Sequence, residues 1–248
     1  MNADPTPDLF TIAAPPWRLS GVVVGALLNH EAQWTALGAA AEAAPYKGRA
    51  RAPVLQVKPR NTLVGDGARV QVPAGMVALE LGATLAIVIG HAACRVAAAD
   101  AMRHVAGYRA ACDIRVPLAG ASAHYRPAVR QRARDGFCPI GPGFTPAAAV
   151  ADPDALSLQL MLDGKRVHQS GGGYVRGVAR LIADVSEFMT LQPGDMLLLG
   201  SAADAPQAAA GQAVKIVIEG LGTLEFSLVA EDAVMSVDAG NAAAGSRP

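Results

Sequence analysis

The stretch "MVALELGATLAIVIG", residues 76–90, carries a single carboxylate, Glu80, inside an alternating apolar run. Side chains on a strand alternate between two faces. Leu79, Leu81, Leu85, Ile87 and Ile89 then share one face, which must be core. Ala78, Glu80, Gly82, Thr84 and Ala86 share the other. The small neighbours leave room beside Glu80, as a metal ligand would need. The competing reading is an acid at a solvated strand end, since Glu is rarely buried unpaired. Asp113, in "AACDIRVPL", is a second acid with two readings. It is a turn residue closing a helix, or a further oxygen ligand for a hard divalent cation.

Cationic forks form the other chemical feature. "AHYRPAVRQRARDGFCPIGP", residues 123–142, crowds Arg126, Arg130, Arg132 and Arg134 beside His124 and Tyr125. Guanidinium groups bind carboxylates through paired hydrogen bonds, so Arg126, Arg134 and Tyr125 are candidate substrate-binding residues. The alternative is an exposed basic loop, and Asp135-Gly136 reads as a turn. His30, in "ALLNHEAQW", stands at a strand end, where it is either structural or a catalytic base. "SGGGY", with Gly171 to Gly173, lacks the lysine and spacing of a phosphate loop and reads as a flexible loop or lid. His91, His104 and His168 form no spaced set with cysteine or acid, so no zinc site is expected.

These residues need elements to hold them. "SGVVVGALL", "APVLQVKPR", "DMLLLGS" and "AVKIVIEGLGTLEFSLV" read as strands, and "RVQVPAGM" as an edge strand because of Pro73. "SLQLMLDGKRV" reads as a hairpin turning at Asp163-Gly164. A helix is expected in "ADAMRHVAGYRAA", capped by Asp100. Another is expected in "GVARLIADVSEFMTL", whose Val178, Leu181, Ile182, Val185, Phe188 and Met189 form one apolar face. The class is α+β and β-rich, with one domain over 20–232 and tails at 1–19 and 233–248.

Hydrophobic residues at 52% against 17% charged exclude disorder for most of the 248-residue chain. Lysine plus arginine equals aspartate plus glutamate at 21 each, so nothing electrostatic favours nucleic acid or an acidic membrane. No apolar run reaches the roughly 18 residues of a membrane span. Cys94, Cys112 and Cys138 lack metal-type spacing and fit a reducing compartment. A cytoplasmic protein is the expectation, with no signal peptide in "MNADPTPDLFTIAAPPWRL".

The motifs "LNH" (28–30), "KPRNTLVGDG" (58–67), "ATLAIVIG" (83–90), "VAGYRAACDI" (105–114), "RDGFCPIGP" (134–142) and "VSEFMTLQPGD" (185–195) occur in an order that resembles the fumarylacetoacetate hydrolase superfamily. Within it, "YRPAVRQRARDGFCPIG" is similar to the N-terminal-half branch of the isomerase/decarboxylases of 4-hydroxyphenylacetate (homoprotocatechuate) degradation. The resemblance implies a mixed β-roll with short peripheral helices. It implies Mg²⁺ or Mn²⁺ held by three carboxylates, chelated by a 2-oxo-carboxylate substrate. It also implies two steps: decarboxylation of 5-carboxymethyl-2-oxo-hex-3-ene-1,7-dioate and isomerisation of 2-hydroxyhepta-2,4-diene-1,7-dioate. A homodimer, or pairing with a C-terminal-type subunit, goes with it.

By the same resemblance, Asp113 matches the third metal ligand, and Gly82 and Thr84 stand where the family carries Glu-x-Glu. Glu80 lies one strand repeat earlier on the same face and is the substitute ligand. Lys58, Arg134 and Asp135 match the family pattern. Arg132 replaces a lysine, so it can hold a carboxylate but cannot act as a base. The family's His and Glu after "LN" read Gln33 and Ala36. His30, Lys58 and Arg132 are thus the catalytic candidates, Asp113 and Glu80 the metal ligands. Two roles are expected: a contributing isomerase/decarboxylase subunit, or a degenerate partner completing another subunit's site. Glutamates restored at positions 82 and 84 should rebuild the ligand set.

Overall fold

A computed structural model describes residues 21–117 and 129–231. The segments expected as tails, 1–19 and 233–248, lie outside the described residues. In chain order the strands are β1 (Val23–Leu27), β2 (Val54–Lys58), β3 (Leu63–Val64), β4 (Ala68–Val72), β5 (Leu79–Ile89), β6 (Val105–Arg115) and β7 (Cys138–Pro139). They continue with β8 (Thr145–Pro146), β9 (Ser157–Leu162), β10 (Lys165–Gly171), β11 (Met196–Leu198), β12 (Gln207–Ala208), β13 (Ala213–Ile218) and β14 (Gly222–Ala230). The α-helices are α1 (Glu31–Leu37), α2 (Val129–Arg132) and α3 (Val178–Ser186).

One sheet runs β2-β1-β11-β5-β6-β8, with β12 also on β5; a second runs β10-β9-β13-β14-β4; β3 and β7 pair alone. The fold is strand-rich α+β, as the sequence predicts. β5 sits in the middle of the first sheet, which is why it can be apolar on both faces. Leu79, Leu81, Leu85, Ile87 and Ile89 enter the main core. Ala86 and Val88 enter a second apolar cluster on the opposite face. β4 takes the sheet edge that Pro73 predicts. The β9–β10 hairpin turns at Asp163 and Gly164, both in the left-handed region. In α3, Val178, Leu181, Ile182 and Val185 are buried as the period requires, but the helix ends at Ser186 and leaves Phe188 exposed. Asp154 caps it, accepting from the Val178 amide at 2.8 Å.

The helix expected after Asp100 is a correction. Only Ala101–His104 makes a 3₁₀ turn, and the rest is β6. Its Tyr108, Ala110, Cys112 and Ile114 enter the main core with a period of two. Alanine and glycine in between hid that alternation, and pairing along β5 overrides the helical preference of alanine.

All three cysteines are free, and Cys112 and Cys138 are buried. Burial, then the Asp113 charge, pushes the Cys112 thiol up. Burial pushes Cys138 up to about 12. The thiolate is the reactive form. Native protein should therefore show one fast-reacting thiol, the exposed Cys94, and denatured protein all three. Three fast thiols in an absorbance assay of native protein would contradict this packing.

Candidate functional site

The site grows from the β5–β6 register, which sets Glu80 against Arg115, Gly82 against Asp113 and Thr84 against Ala111. On β2, alternation buries Gln56 and Lys58 and leaves Val57 at 62% exposure. Three strands separate β2 from β6 in the sheet order. Yet both β2 side chains reach Asp113, so the sheet curls on itself to bring them together. Gly25 on β1 leaves space for this, since a Cβ there would lie 3.1 Å from Gln56 Nε2.

At the centre, Lys58 Nζ donates to Asp113 Oδ1 at 2.6 Å, and Gln56 Nε2 donates to Oδ2 at 2.6 Å. Arg132, delivered by α2, donates through Nη1 to the same Oδ2 at 3.1 Å. One register step away, Glu80 pairs with Arg115. Burial alone would push the Asp113 carboxyl up; Lys58, then Arg132, outweigh it and hold the carboxyl below its ordinary range. Burial pulls the Arg132 guanidinium down, with Asp113 opposing; arginine stays charged all the same.

Glu80 and Asp113 were the expected metal ligands, and each is engaged by cations instead. Asp113 is a mid-strand residue, not a turn. Both its oxygens already accept from buried donors. Glu80 is not at a solvated strand end, because Arg115, itself buried, holds it. Among the described residues no three His, Cys, Asp or Glu side chains converge on a point that could hold a metal ion. A hard divalent cation wants several free oxygens and no neighbouring ammonium. These residues do not fit one.

Gly82 and Thr84 have been absorbed by the loop after β11. Thr84 Oγ1 donates to Gly200 O at 2.9 Å and accepts from the Gly200 amide at 3.1 Å. Ser201 lies over Gly82, where an added Cβ would meet its Oγ at 2.9 Å. The room that small residues promised on this face is thus filled by protein.

The remaining candidates divide. Lys58 and Arg132 join Asp113. His30 caps α1: its Nδ1 accepts from the Ala32 amide at 3.2 Å, and Gln33 Oε1 accepts from the His30 amide at 3.3 Å. Gln33 is therefore a cap residue, and Ala36 is exposed. Arg134 donates through Nε to Arg130 O at 3.1 Å and lines a separate groove with Asp135 and Phe137. Tyr125, Arg126 and His124 lie outside the described residues. The "SGGGY" segment is tied down, with Glu31 donating to Gly173 O at 2.8 Å and Tyr174 bridging to His30. Sequence reasoning missed Gln56 and Arg115, although each lies two residues from a candidate on the same strand face.

A cleft of about 310 Å³ opens beside the cluster, lined by Leu55, Val57, Pro59, Val129 and Ala133 together with Gln56 and Arg132. Arg132 Nε is buried and has no hydrogen-bond partner among the described residues.

Residues 22–229 match the family described as fumarylacetoacetate (FAA) hydrolase C-terminal. The chain is 35% identical over 214 residues to the 4-hydroxyphenylacetate degradation bifunctional isomerase/decarboxylase of Escherichia coli, covering 86% of this chain and 48% of that one. It thus spans about half the length of the curated relatives it matches first. The solved 5-carboxymethyl-2-hydroxymuconate delta-isomerase of Mycobacterium smegmatis superposes with a TM-score of 0.71 at 28% identity, over 86% of this chain and 80% of that one. Fumarylpyruvate hydrolase of Pseudomonas aeruginosa, solved in complex with Mn²⁺ and pyruvate, superposes with a TM-score of 0.72 at 25% identity, over 85% and 90%.

Proposed function

The chain belongs to the fumarylacetoacetate hydrolase family, and from that premise we propose that it is the non-turnover half of a two-half isomerase/decarboxylase of aromatic catabolism. It pairs with a C-terminal-type half, or with itself, and holds a 2-oxo-carboxylate substrate by its carboxylate end. The metal-assisted step belongs to the partner half.

One observation carries this reading: both oxygens of Asp113 are closed by Lys58, Gln56 and Arg132. A Lewis acid that stabilises an enolate must be bound first, and this carboxylate is committed elsewhere. The family's acid–base positions are also altered among the described residues: Gln33 caps a helix, and Arg132 cannot give up its proton. Lost acid–base help alone costs on the order of 10²–10⁴-fold in rate. What the chain retains is a buried cationic cluster beside an open cleft, suited to orienting a carboxylate.

Turnover is the test. The purified chain, with Mg²⁺ or Mn²⁺, is assayed on 5-carboxymethyl-2-oxo-hex-3-ene-1,7-dioate and 2-hydroxyhepta-2,4-diene-1,7-dioate. No metal-dependent turnover is expected from the chain alone. Mixing with a C-terminal-type half that carries Glu-x-Glu should raise that half's rate about tenfold or more, a barrier change of roughly 1.4 kcal/mol. Brisk metal-dependent turnover by the isolated chain would favour the contributing-subunit reading instead.

A further inference from the structure

We infer that the Asp113 cluster and its adjoining cleft form a metal-independent binding site for a small carboxylate with an apolar body. The inference deepens the proposed function by naming the ligand end this half grips, and rests on it for identifying that ligand with the substrate.

Charge is the first argument. Among the described residues, Lys58, Arg115 and Arg132 pair with Asp113 and Glu80, so three cations against two carboxylates leave one positive charge. All three cations are buried. They act as one group around Asp113, which accepts from Lys58 and Arg132 directly and feels the Arg115 charge as well. A buried surplus charge is costly unless something neutralises it. A divalent cation would add to the surplus; an anion removes it.

Hydrogen bonding is the second. The Nε of Arg132 is a buried donor with no acceptor among the described residues, on a side chain only 4% exposed. Buried donors are rarely left so. Arg132 walls the cleft, and so does Gln56. A carboxylate seated in the cleft beside Arg132 would offset the charge, and a turn of the guanidinium toward it would give the buried Nε an acceptor.

Shape is the third. The rest of the cleft wall is Leu55, Val57, Pro59, Val129 and Ala133. Its volume of about 310 Å³ lies at the small end of ligand pockets. One cationic end and apolar sides suit a short aliphatic or alkenyl chain ending in a carboxylate. They suit neither a bare metal ion nor a polyphosphate.

The experiment titrates the full chain with hexanoate in EDTA by calorimetry, with hexylammonium as the charge control. Hexanoate should bind with a dissociation constant of about 1 mM or tighter, and hexylammonium should not. Adding Mn²⁺ in place of EDTA should leave the hexanoate constant unchanged. Arg132→Gln should abolish binding, but it also strips a partner from Asp113 and risks the fold. Val57→Glu and Val129→Glu avoid that risk, since these side chains are 62% and 71% exposed. Each sets a carboxylate on the wall and should weaken hexanoate at least tenfold with the melting temperature held. Overturning results are no hexanoate binding to the unmodified chain, equal binding of hexylammonium, affinity that survives both wall variants, or affinity that requires Mn²⁺. Turnover by the chain alone, with hexanoate still bound in EDTA, would defeat the non-turnover reading and not this one.

Discussion

Asp113→Ala is expected to cost about 3–5 kcal/mol of stability, because it leaves Lys58 and Arg132 as buried charges without their shared anion. With total stabilities of roughly 5–15 kcal/mol, that is a large share. For a chain of this size it corresponds to a drop in melting temperature of about 10 °C. If Asp113 served as a metal ligand, its loss would relieve like-charge crowding and cost little in metal-free buffer. Urea melts in EDTA separate the two. Adding Lys58→Met should recover part of the loss, so the double variant should be more stable than the sum of the single changes. The pH dependence has a fixed sign. The folded state holds the Asp113 carboxyl below its ordinary range, near 4 in an unfolded chain. Its contribution is fully present above that value and is lost as pH falls through the folded-state value. The gap between unmodified protein and Asp113→Ala should therefore narrow in acid. A gap that stays constant down to about pH 2 would refute the assignment.

Gly82→Glu with Thr84→Glu is expected to destabilise the chain by roughly 3 kcal/mol or more and to create no tight metal site. The sequence suggests the opposite, a ligand set rebuilt by two substitutions. Space decides against it. A Cβ at Gly82 would lie 2.8 Å from the Asp113 carbonyl oxygen, part of the backbone, as well as 2.9 Å from Ser201 Oγ. Overpacking of this kind costs about 1–3 kcal/mol. Losing the Thr84 hydroxyl removes both bonds to Gly200, at about 1 kcal/mol each. One new carboxylate would meet the surplus positive charge, but there is no volume for it. The loop is held on either side of Gly200, since the Leu199 amide donates to Leu85 O and Asn29 Nδ2 donates to Leu199 O. Thermal melts and Mn²⁺ titration of the double variant decide the matter. Unchanged stability with a micromolar Mn²⁺ site would mean that the Gly200–Ser201 loop swings aside.

Strands with a strong period were legible from residues alone. β5 announced itself through Leu79, Leu81, Leu85, Ile87 and Ile89, and α3 through Val178, Leu181, Ile182 and Val185. β6 was not legible, because Ala106, Ala110 and Ala111 carry too little apolar contrast and favour a helix in isolation. The motif order located the family. The site was legible in its members and not in its wiring. Lys58, Arg132 and Asp113 were each singled out. That Lys58 and Arg132 would occupy Asp113, with Arg115 taking Glu80, depends on how far the sheet curls, which no local pattern encodes. Gln56 hid because a glutamine on a strand otherwise reads as surface.

The parallel pairing of β1 with β11 has a consequence for how the protein is made. Val22 and Asp195, joined at the margin of that pairing, are 173 positions apart. At about 5–20 residues per second, the ribosome needs roughly 9–35 s to deliver β11 after β1 has emerged. Throughout that interval β1 can pair with β2, but its other edge stays bare, with Val23, Val24, Ala26 and Leu27 lacking their core. Bare apolar edges are templates for pairing with other chains. The hairpins β9–β10 and β13–β14 close within short loops and need no such wait. β1 thus spends that interval open to pairing with other chains. Heterologous yield should respond more to slower synthesis and lower temperature than to any change in the finished surface.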